Sequence, residues 1–384
     1  MTLSIDARAK EMKAAGLNVI GFGAGEPDFP TPQHICDAAK EAIDLGMTRY
    51  TPAAGTKELR KAICEKLRRD NDMTYTYGDI LVSNGAKHSL FNIFQAILDP
   101  GDEVLIPTPC WVSYPELVRM AGGVPVFIPA TEETNFIPTN KDIASRVTRR
   151  TKAIVITSPS NPNGSVWEQE QLQFVADLAV SHPFFVVSDE IYEKLLYDGR
   201  KHLSIAQLGE QIKSQTFLVN GVSKAYAMTG WRIGYVAGPR NVISAMSSFQ
   251  SQATSNPNSI AQYAAMKALQ GDQSCVDAMV AQFEKRRDAM VEKINAIPGL
   301  SCRKPQGAFY IMMNIKQMLG KHYDGRMIES SLDFAELLLA EKQVALVPGV
   351  AFEAEGYCRL SYAVSMENIL EGLSRIGEFV AELS

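Results

Sequence analysis

The chain has 384 residues, 46% of them hydrophobic and 21% charged, the profile of an ordered globular protein with no room for a large disordered class. That length exceeds what one compact core usually takes, so two domains are expected. A net charge of -5 removes the electrostatic basis for general nucleic-acid binding, and isolated basic pairs such as Arg149-Arg150 and Arg286-Arg287 read as solvated helix faces.

The six cysteines (Cys36, Cys64, Cys110, Cys275, Cys302, Cys358) are scattered without a Cys-x-x-Cys pair, and the five histidines show no His-x-x-x-His spacing. The pattern predicts reduced thiols, a cytoplasmic setting and no metal. The opening MTLSIDARAKEMKAAG mixes charged and apolar residues as a helix does and lacks the apolar core of a signal peptide. No run approaches the length of a membrane span, so no membrane partner is expected.

After the opening helix, Val19 to Pro30 offers glycines at 21, 23 and 25. A dinucleotide fingerprint is rejected, because the spacing is Gly-x-Gly-x-Gly and the Pro-rich continuation cannot supply the helix that would hold a pyrophosphate. Glycines that simply permit a tight loop remain the plain reading. An amphipathic helix from His34 to Leu45 leads to the loop Arg49 to Gly55, which carries Tyr50, and then to a helix reaching Arg69.

Short apolar runs follow, each ending in a polar or glycine-containing turn and then a helical stretch, the pattern of a mostly parallel sheet covered by helices. Ile80-Leu81-Val82 runs into Ser83-Asn84-Gly85-Ala86-Lys87 and a helix; such a turn presents free N–H groups and the positive end of the helix dipole, a phosphate cradle. Many strand-to-helix turns look the same. Val104-Leu105-Ile106 leads to Trp111, either a packing aromatic or a stacking plate. Ala153 to Ile156 ends in Ser158-Pro159-Ser160-Asn161-Pro162-Asn163-Gly164, whose prolines present Asn161 in a fixed direction. Phe184 to Val187 ends in Ser188-Asp189-Glu190-Ile191-Tyr192, and a carboxylate at the end of a buried strand points to a ligand crevice. On this ground Asp189 and Glu190 compete.

Phe217-Leu218-Val219 reads as a further buried strand, broken at Asn220-Gly221, with Lys224 on the turn before a last strand from Ile233 to Ala237. A lone lysine usually sits in water. Ala225, Tyr226, Ala227 and Met228 follow it directly, however, and predict a desolvated amine, a nucleophile toward carbonyls. Helical stretches continue from Asn241 to Gln270, and a long one from Val276 to Ile297 links to a second domain: strand (308–313), helix (332–340), strand (344–347), strand (359–363) and a final helix with Ile369, Leu373, Ile376, Val380 and Leu383 on one face. Arg359, inside an otherwise apolar strand, needs an anion: a structural ion pair or a substrate carboxylate.

Ser223-Lys224, with Arg232 eight residues on inside Gly230-Trp231-Arg232-Ile233-Gly234-Tyr235, resembles the cofactor-lysine segment of fold-type I pyridoxal-phosphate enzymes. The matches run from Gly25 to Arg359, and within class I aminotransferases they are most similar to the bacterial-type aspartate aminotransferase branch. The resemblance implies an α/β fold with a large domain (30–277) built on a mostly parallel seven-stranded sheet between helices. A smaller α/β domain would come from the two chain ends, residues 1–29 and 278–384. It also implies pyridoxal 5'-phosphate bound to Lys224, the catalytic residue. Its phosphate would sit on Gly85, Ala86, Lys87, Ser223 and Arg232, its ring against Trp111 and Asn161, its nitrogen on Asp189 and its ring oxygen on Tyr192, with Glu190 left structural. Tyr50 would reach the neighbouring subunit's phosphate, which makes the implied assembly a homodimer with shared sites. Gly25, Trp111, Asn161 and Arg359 would line the substrate pocket, Arg359 taking the α-carboxylate; no residue is assigned to a distal carboxylate.

The implied reaction moves an amino group between an L-amino acid, aspartate first, and 2-oxoglutarate by a ping-pong route through pyridoxamine phosphate. Prephenate or aromatic oxo acids are the alternative. More distant rivals are a carbon-sulfur lyase or cyclopropane-forming synthase of the same fold and a catalytically silent sensor domain, the last disfavoured by the full catalytic set and the lack of an appended DNA-binding segment.

Overall fold

The computed structural model describes residues 2–384. The opening helix, Thr2–Ala14, leads into a two-residue strand, Ile20–Gly21 (β1). The large sheet then takes Ile80–Ser83 (β2), Glu103–Thr108 (β3), Val124–Pro129 (β4), Thr151–Thr157 (β5), Phe185–Asp189 (β6), Thr216–Gly221 (β7) and Gly234–Ala237 (β8) in the order β2-β8-β7-β6-β5-β3-β4. All pairings from β7 to β4 are parallel, and β8 runs antiparallel between β2 and β7.

The apolar runs lack alternation because both faces are covered. Val155, Val187, Phe217 and Val219 pack with Leu90, Ile93 and Phe94 of helix Ala86–Ile97 and Met246 of helix Arg240–Ala253. Their neighbours Ile154, Ile156 and Val186 turn to the other face and meet Leu172, Val175 and Ala176 of helix Gln169–Ser181. One strand went unread: β4 carries Pro125 and Pro129, which a sheet tolerates there because β4 is the edge strand and pairs with β3 alone.

Beyond helix Ser274–Ala296 the chain adds Ser301–Cys302 (β9), Tyr310–Asn314 (β10), the hairpin His322–Tyr323 (β11) and Arg326–Met327 (β12), Val344–Ala345 (β13), Val347–Pro348 (β14) and Tyr357–Ser361 (β15). A four-stranded antiparallel sheet has the order β14-β15-β10-β9. The single strand expected at 344–347 is two strands, since β13 pairs with β1 whereas β14 pairs with β15. The helical stretch expected from 241 to 270 is likewise two helices, Arg240–Ala253 and Ser259–Gln270, separated by Ser255 at φ 59° and Pro257. Ile5, Ala9, Val19, Ile20 and Phe22 from the start of the chain share one core with Phe334, Leu338, Ile369, Leu373 and Ile376 from its end.

Parallel pairing places Thr157 beside Asp189 and Asp189 beside Val219, so the carboxyl ends of β5, β6 and β7 open together. Turns leaving such strand ends surround a shared crevice. The functional side chains gather there.

Candidate active site

Lys224 stands on the turn after β7, and its Nζ donates to the Gly25 carbonyl at 2.6 Å. The ring centroids of Tyr192 and Phe309 lie 5.9 Å from the amine. Burial brings its pKa down to about 8; Arg232 and Arg359 push the same way, while Glu26 and Asp189 oppose them. The amine is therefore depressed as expected, but its surroundings differ from those read in the sequence. Tyr226 and Met228 turn away into the core beneath β2 and β8, and the amine is enclosed by residues from Gly25, Tyr192 and Phe309 instead.

Asp189 ends β6 and is 4% exposed. Its Oδ2 accepts from the Tyr114 hydroxyl at 2.7 Å and its Oδ1 from the Ile191 amide at 3.2 Å. Burial raises its pKa to about 6, against the pull of those two donors. Each carboxylate oxygen has a second lone pair, so a cationic N–H would relieve the burial cost. Glu190, the next residue, faces the other way, onto Ser188, Ser204 and His202. The competition between the two carboxylates is thus decided by the alternation of side chains along a strand end.

At the opposite end of the crevice, Gly85 caps helix Ala86–Ile97 at φ 86°. A Cβ at Gly85 would lie 2.3 Å from Arg232 Nη2, and one at Gly234 would lie 2.2 Å from the Ala86 nitrogen, so both positions depend on glycine for this close approach. Arg232 itself adopts φ 57° and donates to the carbonyls of Thr229 (2.8 Å) and Asn84 (3.2 Å). Among the described residues no carboxylate pairs with Arg232 or with Lys87, whose Nζ lies 4.8 Å from the Trp111 ring centroid. Two cations without an acid beside a helix N-terminus make an anion site.

Arg359 projects from β15 into the same cavity. Its Nη1 donates to Asn161 Oδ1 at 3.0 Å and its Nη2 to the Gly23 carbonyl at 2.8 Å, with the guanidinium 4.4 Å from the Tyr310 ring and 4.9 Å from Phe352. Tyr192 and Tyr310 share a hydroxyl contact of 2.9 Å.

Of the residues singled out in the sequence, Gly25, Ala86, Lys87, Trp111, Asn161, Asp189, Tyr192, Ser223, Lys224, Arg232 and Arg359 line one cavity of about 420 Å³. Gly85 adjoins it through Arg232. Tyr50 does not join them: it is 91% exposed on the outside of the chain. Tyr114, Thr157, Thr229 and Tyr310 line the cavity and went unread. Tyr114 had a faint signal, three residues after Trp111 and hence one helical turn away, whereas Tyr310 becomes visible only once β10 is paired with β15.

The residues fit pyridoxal phosphate. The volume lies within the roughly 300–1,000 Å³ of small-molecule sites. The cavity offers a depressed amine for an aldehyde, a buried acid for a ring nitrogen, a flat Trp111 and, opposite, an anion cradle for a phosphate.

The family described as Aminotransferase class I and II matches residues 18–376. An aspartate aminotransferase of Bacillus sp. (strain YM-2) is 50% identical over 379 residues, covering 99% of this chain and 96% of that protein. A probable aspartate/prephenate aminotransferase of Aquifex aeolicus is 47% identical, covering 100% of this chain and 96% of that one. The solved aspartate aminotransferase of Rhizobium meliloti superposes with a TM-score of 0.97 at 45% identity, covering 100% of this chain and 96% of its own. With a depressed amine, a buried acid and an anion cradle in one crevice, the chain belongs to the class I and II aminotransferases, which are pyridoxal-phosphate-dependent.

Proposed function

We propose that this aminotransferase moves the amino group of L-aspartate to 2-oxoglutarate in two half-reactions. The observation that carries the reading is the convergence of the Lys224 amine, the Asp189 carboxyl and the Arg359 guanidinium on one cavity. When bound, pyridoxal phosphate supplies an aldehyde for the substrate amine and a ring that withdraws electrons from its Cα. Lys224 would hold that aldehyde and, when the substrate amine has taken its place, its Nζ would serve as the positioned general base and acid for the substrate Cα proton. Asp189 would hold the ring nitrogen, Tyr192 the ring oxygen, and Ser223, Arg232, Lys87 and the amides at Gly85 and Ala86 the phosphate. Arg359, steadied by Asn161 and Gly23, takes the α-carboxylate in its planar fork. In this reading Arg359 belongs to a small domain of residues 1–29 and 278–384 and meets Asn161 of the large one. Aspartate is expected to bleach the cofactor's near-visible absorbance and 2-oxoglutarate to restore it; bleaching without restoration would favour an eliminating enzyme, and no change a silent domain.

A second carboxylate needs a second cation. Lys87 and Arg232 are given to the phosphate, so no lining residue is assigned to it. Arg359→Ala is expected to weaken every amino acid alike, because all share the α-carboxylate that its fork takes. A loss confined to dicarboxylates would remove Arg359 from this role. In the intact enzyme, preference for aspartate over alanine is expected to exceed the about 10–200-fold that hydrophobic fit supplies. The relatives named aspartate/prephenate aminotransferase favour prephenate or aromatic oxo acids as a second substrate class.

The working form in this reading is a cytoplasmic homodimer. Tyr50 and Met47 line one surface pocket and are both exposed, as are Ile43 and Leu45 just before them in the chain, which suits a face awaiting a second copy. All six cysteines are free thiols, and no described helix is long and apolar enough to cross a membrane. Mixing an inactive Lys224 variant with an impaired Tyr50 variant is expected to restore activity through hybrid dimers. No recovery after verified subunit exchange would count against shared sites.

A further inference from the structure

Behind the cavity, on the far side of β6, lies a buried charged cluster with no part in the chemistry described so far. Glu190 Oε1 accepts from Ser188 (2.9 Å) and Ser204 (2.6 Å), and its Oε2 meets His202 Nε2 at 2.8 Å. Glu193 accepts from Lys66 and, at 2.8 Å, from Asn71. The imidazole of His202 is 8% exposed, and its Nδ1 has no hydrogen-bond partner. Ligand atoms of Glu190, Glu193 and His202 lie within 4.8 Å of one another, but the Lys66 ammonium already serves as their cation.

Charge counting makes His202 the deciding member. With the imidazole protonated, Lys66 and His202 balance Glu190 and Glu193; with it neutral, one buried negative charge is left over, which is costly. Burial works against the imidazolium, yet the two carboxylates outweigh it and hold His202 above its ordinary range. Glu193 is held down to about 2, Lys66 and His202 overcoming the opposing effect of burial. The other groups facing the cluster are Asp70 with its partners Arg69 and Lys194, and the phenols of Tyr75, Tyr226 and Tyr235, which burial keeps protonated.

The cluster adjoins the reaction through the backbone. Glu190 follows Asp189 directly, and its charge adds to the proton affinity of Asp189. Resting on the pyridoxal phosphate reading, we propose that His202 and Glu190 act as positioning residues that set the field at Asp189 and thereby the proton affinity of the cofactor it holds. His202⁺ mutes Glu190; removing it leaves a bare carboxylate that favours protons on Asp189's partner.

The test is the pH midpoint of the cofactor's visible absorbance. His202→Gln is expected to raise it and Glu190→Gln to lower it, each by about one pH unit, the size of one buried charge acting from roughly 10 Å at an effective dielectric near 20. The double variant is expected to return toward wild type. Midpoints that stay put, or move in the same direction for both single variants, overturn the proposal, because loosened packing has no reason to give opposite signs. A second measurement needs no variant: the His202 midpoint, followed by NMR in the wild type, is expected to differ with and without cofactor, since such coupling is reciprocal. An identical midpoint overturns the proposal. Absence of visible absorbance in the wild type would instead overturn the pyridoxal phosphate reading itself, and the proposal with it.

Discussion

Lys224→Ala is expected to lower aspartate transamination by about 10⁴-fold or more while leaving the fold intact. Positioned acid-base catalysis alone is worth about 10²–10⁴, and loss of the covalent anchor adds the cost of mispositioning. Borohydride is expected to fix the chromophore to Lys224 in the wild type; labelling at another lysine would sink the assignment. A pH dependence follows from the depressed amine. Only neutral Nζ attacks an aldehyde, and with a pKa of about 8 its neutral fraction rises as pH rises. Capture of pyridoxal phosphate by the apoprotein is therefore expected to speed up toward pH 8 and level off above it. A rate still climbing steeply at pH 10, as for a lysine in water near 10.4, would mean that the cavity does not depress the amine.

The sheet was legible because burial on both faces writes itself as unbroken apolar runs, and the site because the polar residue closing each run marks a strand end. Asp189, Asn161 and Lys224 are found that way with no knowledge of register. Register decides the rest. Tyr310 lines the cavity because β10 pairs Tyr310 with Ser361, two residues from Arg359 on the same face of β15, and nothing local to Tyr310 says so. The same holds for the environment of Lys224, where adjacent residues in sequence point into a different core and distant ones close over the amine. β4 went unread, and its Pro125 and Pro129 give no strand signal, because the penalty on proline applies to central strands and lapses at an edge. Tyr50 is a different case: its implied role needs a second chain, and no arrangement of one chain brings a 91% exposed loop tyrosine to the crevice. Glu190 looked like a rival to Asp189 until the alternation at the strand end separated them.

Asp189→Asn is expected to separate function from stability. Its folded pKa, about 6, lies above the unfolded value near 3.9, so between those values the folded chain holds a proton that the unfolded chain has lost. Stability without cofactor therefore falls as pH rises across that window, and above about 6 the full penalty stands, on the order of 3 kcal/mol. The amide removes the charge and keeps the shape, and Tyr114 can turn its hydroxyl proton toward Thr157, 2.7 Å away, and accept from the new N–H. At pH 7.5 the cofactor-free variant is thus expected to melt higher than the wild type, with a melting temperature nearly flat from pH 4.5 to 7.5 where the wild type declines. With cofactor the order reverses. In the proposed reading a ring N–H would offset the buried carboxylate and would find no charge in the variant, so turnover is expected to drop roughly a hundredfold or more, as when one preorganised electrostatic partner is lost. Calorimetry of both proteins with and without cofactor, beside steady-state rates, reads both halves. Near-normal turnover with cofactor bound would take Asp189 out of the mechanism, and a lower melting point in the cofactor-free variant would show that burial of this carboxylate is compensated by the chain itself.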